Sequence, residues 1–322
     1  MKVYFSPKYY KGVTHLDSTG KKEYMIDSIA KPLWVSEKAQ EIEGIDLVEP
    51  SQISREDILS VHTEDYVKSI ETSVPIDLAS SSGLRWVPSL YEATLYSVSG
   101  LYRAIQTARK EYVSGTLSTN FHHAKKGKGS GFCVFNGVAI SVLKALRELD
   151  FERILIVDCD FHYGDGSAET LKQTIGAYIY DIYGGFHQAN NEVTEAKNIT
   201  NEKVSSVEEY DLALERMFTF SNNYKPDLVI YDAGMDFYEG DRIGGIRGID
   251  KDFLYRRDSL IFNFFLKNNI PVAFMLGGGY VPYKDEDGNM LSEEEINKKR
   301  EELTELYLNT LKIASQTVDL TV

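Results

Sequence analysis

The sequence predicts an α/β protein with a central, mostly parallel sheet and helices on both faces. Three observations carry this. Short apolar runs rich in β-branched residues alternate with longer amphipathic stretches along the 322 residues, the pattern of right-handed βαβ units. The run Ile154-Leu-Ile-Val157 is apolar throughout, as a strand buried on both faces must be. It stops at Asp158-x-Asp160-x-His162, and open α/β sheets place their ligand sites at the carboxyl ends of strands.

The elements follow in order. Residues 2–5 form the first predicted strand. Residues 74–89 hold Pro75, Pro88 and the run Ser80-Ser-Ser-Gly83, and predict an irregular loop. Amphipathic spacing predicts helices over 91–112 and 133–149. Apolar runs predict strands over 153–157 and 177–182. Residues 184–200 have Gly184-Gly185, Asn190-Asn191 and little period, and read as a long functional loop. Helix 206–223, strand 227–232, helix 251–267 and strand 271–276 continue the alternation. Residues 284–290 read as a mobile surface insertion. Ser292-Glu-Glu-Glu295 opens the last helix, 292–315, as a capping box. No repeat or linker divides the chain, so residues 1–322 are expected to form a single domain.

Hydrophobic residues make up 43% and charged residues 26%, the balance of a soluble globular protein. The formal charge of −14 argues against nucleic-acid binding and suits a cationic partner. Cys133 and Cys159 are the two cysteines, too few for a disulfide framework. The first residues lack the apolar core of a signal peptide, and no apolar run approaches a membrane span. A cytoplasmic protein without membrane contact is the expectation.

Four polar clusters fall after apolar runs: Asn120-Phe-His122-His123, the Asp158–Asp165 stretch, Asp232-Ala-Gly-Met-Asp236, and Gly277-Gly278-Gly279-Tyr280. Loops after different strands of a parallel sheet share one edge, so the four can converge on one pocket. Asp160 and His162, two apart, point the same way on an extended segment. Asp236 supplies a third ligand from a neighbouring strand end. Three protein ligands leave a catalytic divalent metal an open position, and zinc suits this mixture of carboxylate and imidazole. His122 and His123 are candidate bases, with Asp158 and Asp165 as the carboxylates that orient them. Tyr280 is placed to donate to a developing oxyanion. The glycines before it, Gly278 included, let backbone approach a substrate closely.

These clusters, in this order, resemble the histone deacetylase and acetylpolyamine amidohydrolase family. His122-His123-Ala-Lys-Lys with Ser130-Gly131-Phe132-Cys133 and Asn136 looks like that family's paired-histidine segment. Asp158-x-Asp160-x-His162-x-Gly164-Asp165-Gly166 is similar to its metal motif. Ala233-Gly234-x-Asp236, then Asp241 and Gly244, resembles its third-ligand loop, and Gly277–Tyr280 its tyrosine loop. Val61-His62-x-x-Asp65-Tyr66-Val67 also resembles a family segment, so the likeness spans essentially the whole chain.

The resemblance implies an arginase/deacetylase-like fold and a single deacetylase-like catalytic domain. It implies one Zn²⁺ held by Asp160, His162 and Asp236, and removal of an acetyl or other acyl group from a lysine-like amine. The substrate is then an acyl-lysine protein or an acylpolyamine. It pairs His122 with Asp158 and His123 with Asp165, with His123 the base and Tyr280 polarising the amide. Gly131 and Phe132 line an acyl-lysine tunnel. A structural K⁺ is implied near Asp158, Asp160, His162 and Asp181.

The chain also departs from the family. Ser118-Thr-Asn-Phe121 stands where the family usually has Arg-Pro-Pro-Gly, and Tyr163 replaces a second histidine. Asp181-Ile-Tyr183 replaces Ser-x-His. The loop 184–200 lacks the family's Pro-Gly-Thr-Gly, leaving Phe186 or His187 to form the opposite tunnel wall. A binuclear manganese ureohydrolase on the same fold needs a second Asp-x-Asp pair, which Met235 and Tyr238 do not offer. A binding module that has lost catalysis is opposed by the retained ligands, histidines and Tyr280.

Overall fold

The computed structural model describes residues 1–9, 15–16, 23–24, 27–186, 193–285 and 288–317. In chain order these form β1 (Lys2–Tyr4), β2 (His15–Leu16), β3 (Glu23–Tyr24), α1 (Asp27–Ala39), β4 (Asp46–Val48), α2 (Arg55–Leu59), α3 (Glu64–Thr72), α4 (Ile76–Ala79), α5 (Leu90–Glu111) and β5 (Val113–Thr116). Then come α6 (Gly137–Glu148), β6 (Ile154–Asp158), α7 (Asp165–Leu171), β7 (Ala177–Tyr183), β8 (Ile199–Lys203), α8 (Val207–Tyr224), β9 (Leu228–Asp232), α9 (Lys251–Lys267), β10 (Val272–Met275) and α10 (Glu293–Thr317).

Eight strands make one sheet in the order β4-β1-β5-β10-β9-β6-β7-β8, and every pairing in it is parallel. The strands β2 and β3 form a separate antiparallel ribbon. Side chains alternate across each strand. Ile154 and Ile156 of β6 join a core with α2, α3, α5, α6 and α7, whereas Leu155 and Val157 join a core with α1, α8, α9 and α10. Helices therefore cover both faces, as expected. The four strands β5, β10, β9 and β6 are buried along their whole length. Among the described residues no helix is long and apolar enough to cross a membrane.

The predicted strands and long helices are all present, with ends moved by a few residues. The helix predicted from residue 133 starts instead at Gly137, because Asn136 accepts from the Ala139 amide at 2.9 Å and caps it. Ahead of it, Ser130 and Cys133 close a tight turn. The capping box at Ser292 forms, with Ser292 and Glu295 bonding reciprocally.

Several elements were not predicted. Strand β5 reads Val-Ser-Gly-Thr, with one apolar residue in four, yet it is wholly buried. Its Gly115 gives up a side chain because the Phe274 ring of β10 occupies that space. Strand β8 is a polar edge strand that starts at the last two residues of the expected loop 184–200 and runs past it. Helix α4 falls inside the expected loop 74–89. At 284–290, Lys284 bridges Met290, and Asp285 accepts from the Asn289 amide.

His62 ties two parts of the site together. Its Nδ1 lies 3.0 Å from the Lys125 carbonyl, and its Nε2 accepts from the Asn136 amide at 2.9 Å. These two bonds require the neutral ring, and burial pushes its pKa down to about 4 from 6.5. The unfolded chain binds the proton first as pH falls, so His62 costs stability between pH 6.5 and 4 and none above 6.5. That gap corresponds to at most ~3 kcal/mol. Urea denaturation of wild type and His62→Asn across pH 7.5 to 4.5 checks this. The wild type is expected to lose stability relative to the variant as pH drops, and parallel pH curves would refute it.

Candidate metal centre and histidine pair

The carboxyl ends of β5, β10, β9, β6 and β7 lie side by side and carry all four polar clusters to one edge. Asp232, Asp158 and Asp181 stand in register across β9, β6 and β7. Past them the chain leaves the sheet and presents Asp160, His162 and Asp236.

Asp160, His162 and Asp236 are buried, and one ligand atom from each lies within 4.8 Å of the others. His162 Nδ1 is 2.9 Å from Asp236 Oδ2 and 3.3 Å from Asp160 Oδ1. Burial lowers the His162 pKa, but the bonds to Asp160 and Asp236 outweigh it and lift it to about 10. Burial and the neighbouring Asp160 push the Asp236 carboxyl up to about 6. Two buried carboxylates facing one imidazole nitrogen demand positive charge. A divalent cation meets that demand and takes the imidazole as a neutral ligand, so the donor set fits a metal. The other carboxylate oxygens are fixed by amides: Asp236 Oδ1 accepts from Phe161 N–H at 2.8 Å, and Asp160 Oδ2 from Gly278 N–H at 2.6 Å.

The histidines stand beside this group. His122 Nδ1 is 2.9 Å from Asp158 Oδ2, and His123 Nδ1 is 2.8 Å from Asp165 Oδ1. Their Nε2 atoms face each other at 3.0 Å, so one proton lies between them. Burial works against charge on His122, but Asp158 and Asp160 hold its pKa well above the ordinary value. Burial likewise opposes ionisation of Asp165, which His123 and Lys125 keep below the usual carboxylate range.

The tyrosine loop is held from behind. Gly277 and Gly279 have φ of +64° and +150°, which favour glycine. Lys31, fully buried on α1, donates to the Gly277 carbonyl and to Tyr307 Oη, and Tyr307 donates to the Gly278 carbonyl. Burial lowers the Lys31 pKa to about 8. Asp241 accepts from the Tyr280 amide at 2.6 Å. The Tyr280 ring stands 6.3 Å from that of His162 and 6.4 Å from that of Phe132. Burial and the Asp160 and Asp236 charges push its hydroxyl pKa well up, so it stays a donor. Gly278, expected at the substrate, has its N–H on Asp160 and its C=O on Met235 N–H and Tyr307, so both groups serve to hold the ligand loops.

Gly131 and Phe132 both have positive φ, +51° and +63°. A side chain at 131 would collide with the His123 ring. Phe186, one of the two expected wall residues, packs against Tyr163 and Tyr183, and His187 lies outside the described residues.

A family model for the histone deacetylase domain matches residues 15–290. The chain belongs to the histone deacetylase family. Histone deacetylase 2 of Arabidopsis thaliana is 30% identical over 73% of this chain and 63% of its own length. A probable deacetylase of Archaeoglobus fulgidus is 28% identical over 73% of this chain and 68% of its own. The acetylpolyamine aminohydrolase of Burkholderia pseudomallei shares the fold at 18% identity, with a TM-score of 0.74 over 97% of this chain and 98% of that one.

Within this family the chain's departures acquire structural roles. Asn120, in the stretch that replaces Arg-Pro-Pro-Gly, donates to Asp160 Oδ2 at 2.7 Å and accepts from the Phe121 and His122 amides. Tyr163 accepts from the Thr194 amide. Asp181 accepts from the Gly164 amide through one oxygen, and its other oxygen is buried without a partner among the described residues. Asn120, Lys31, Asp241 and Tyr307 were not singled out for these roles. Asn120, beside the histidines, and Asp241, in the segment that follows Asp236, carried a signal that could have found them; Lys31 and Tyr307 carried none.

Gly278→Ala tests the crowding at the centre, because a Cβ there would strike the carboxylates of Asp160 and Asp236. The variant is expected to fold and to lose zinc binding by at least about tenfold, measured by competition with a chromogenic chelator. Unchanged affinity would show that these carboxylates do not hold the ion.

Proposed function

We propose that this chain acts as a single zinc-dependent catalytic domain that removes an acyl group from a lysine-like primary amine, on a protein or a polyamine. The observation that carries the reading is the Asp160–His162–Asp236 group set beside a paired, carboxylate-backed His122–His123, with Tyr280 over it. Asp160, His162 and Asp236 would hold one Zn²⁺, which supplies Lewis-acid chemistry by polarising an amide carbonyl and acidifying water.

The chain's own groups do the rest. His123 takes a proton at Nε2 from the attacking water, while Asp165 fixes its Nδ1–H. His122 keeps its charge on Asp158. Tyr280 donates its O–H to the amide oxygen as negative charge develops there. The histidine pair returns a proton to the departing amine. Phe132 and Tyr280, both half-buried, face each other where an apolar methylene chain would pass. The charge of −14 favours approach of a cationic substrate. Asp158 and Asp181 would hold a monovalent cation, and the unpartnered Asp181 oxygen supports that placement.

The test is a panel of acyl chain lengths on lysine peptides and polyamines, run with and without chelator. Turnover that chelator abolishes and zinc restores is expected on at least one series. Tyr280→Phe should lower kcat by about 10²–10³-fold and leave zinc affinity intact. No chelator-sensitive turnover of any acyl-amine would overturn the reading. Metal counting separates it from a binuclear centre, since a second ion would have to use His122, Asp158 and Asp232, whose ligand atoms also cluster.

A further inference from the structure

Behind the metal centre, a second buried charge reaches the backbone of two ligand loops. Arg257 of α9 is fully buried. Its Nη1 donates to the Gly234 carbonyl at 2.7 Å and reaches the Cys159 carbonyl at 3.5 Å. Cys159 precedes the ligand Asp160, and Gly234 lies two residues before the ligand Asp236. The last backbone rung between these strands is Cys159 N–H to the Asp232 carbonyl at 3.2 Å. Beyond it the two chains leave the sheet, and the guanidinium stands where the next rung would be.

The contact there is tight. A Cβ on Gly234 would lie 2.7 Å from Asp160 Cα and 3.0 Å from the Cys159 carbonyl. A sideways shift of either loop therefore moves the other, and the fork touching both carbonyls sets their spacing. The fork is itself immobilised. Arg257 Nε and Nη2 both bond Asp258 Oδ1 at 2.9 Å. Asp258 accepts in turn from Tyr231 Oη at 2.5 Å, on β9, and from Thr310 Oγ1 at 2.6 Å, on α10. This network anchors the loop positions to a strand and two helices.

We infer that Arg257 is a positioning residue that fixes the distance between the Asp160 and Asp236 loops through the Cys159 and Gly234 carbonyls. The inference rests on the proposed metal centre for its consequence but not for its geometry. A planar guanidinium can bond two acceptors and its counter-ion together, whereas an ammonium is a point donor. Arg257→Lys keeps the charge beside Asp258 and loses the fork. Arg257→Met/Asp258→Asn removes both charges together, so no unpaired buried ion is left to unfold the chain.

The full chain is tested with three readouts: melting temperature without metal, zinc affinity by chelator competition, and amide hydrogen exchange at residues 159–161 and 234–236. Arg257→Lys is expected to melt within a few degrees of wild type. It should bind zinc about 10–100-fold more weakly and exchange faster at those amides than elsewhere. KM at saturating zinc should stay unchanged while kcat falls. The double variant should show the same selective loss. Wild-type zinc affinity and exchange in a folded variant would overturn the inference. Failure of the wild type to bind zinc would strike the metal reading alone, and exchange at the two loops would still decide whether Arg257 braces them.

Discussion

The structure depends on one electrostatic constraint: five carboxylates, Asp158, Asp160, Asp181, Asp232 and Asp236, are buried together at one edge of the sheet. Taken from water, each charge must be paired, bonded or neutralised by a proton. The parallel sheet makes the crowding unavoidable, because Asp232, Asp158 and Asp181 are neighbours in register. Burial and the Asp158 charge push Asp181 and Asp232 well above the usual carboxylate pKa. Every cationic or amide group nearby is organised around this negative charge. His122 and Lys31 approach it with positive charge, the His162 imidazole is set against it, and the amides of Asp160, Phe161, His162, Gly164 and Gly278 point their N–H groups into it.

That organisation explains why the loops carry so little freedom. The Gly277–Tyr280 loop is pinned in front by Asp160, to the side by Asp241, and behind by Lys31 and Tyr307. The segment before the histidines is pinned by Asn120 on the same Asp160 oxygen that Gly278 uses. Asp160 is thus the common point of three loops from three strands. A change in any of them is felt at the Asp160 carboxylate. The side chains that pin the loops come from α1, α10 and the loops themselves, so the outer helices are part of the site's rigidity as well as of the core.

Most of the sheet and of the candidate site was readable because both have local signatures. Ile154–Asp158 and Leu228–Asp232 are apolar runs that end in carboxylates. The four polar clusters sit directly after such runs. The parts that escaped have no local signature. Strand β5 is polar by composition and is a strand because β1 and β10 pair both of its edges. Lys31 precedes Pro32 inside α1, a segment that was not read as a helix, and only tertiary packing buries it. Tyr307 and Arg257 lie in amphipathic helices, where one more buried residue on the apolar face attracts no notice. Their function is set by what lies opposite, hundreds of residues away in one case.

The same electrostatic accounting separates the two histidines. Asp165 meets His123 on Oδ1 and the Lys125 ammonium at 3.0 Å on Oδ2. The lysine neutralises Asp165 whether or not His123 is charged. Asp158 has no such second cation among its described contacts; its Oδ2 meets only His122, and its Oδ1 accepts an amide. Asp160 adds a further carboxylate 3.7 Å from His122 Nε2. Positive charge is therefore worth more on His122 than on His123. With a single proton between the facing Nε2 atoms, the arrangement these charges favour puts it on His122 and makes the His123 Nε2 the acceptor of that hydrogen bond. Lys125, part of the His-His-Ala-Lys-Lys motif, thereby favours through Asp165 the proton arrangement that the proposed role of His123 requires.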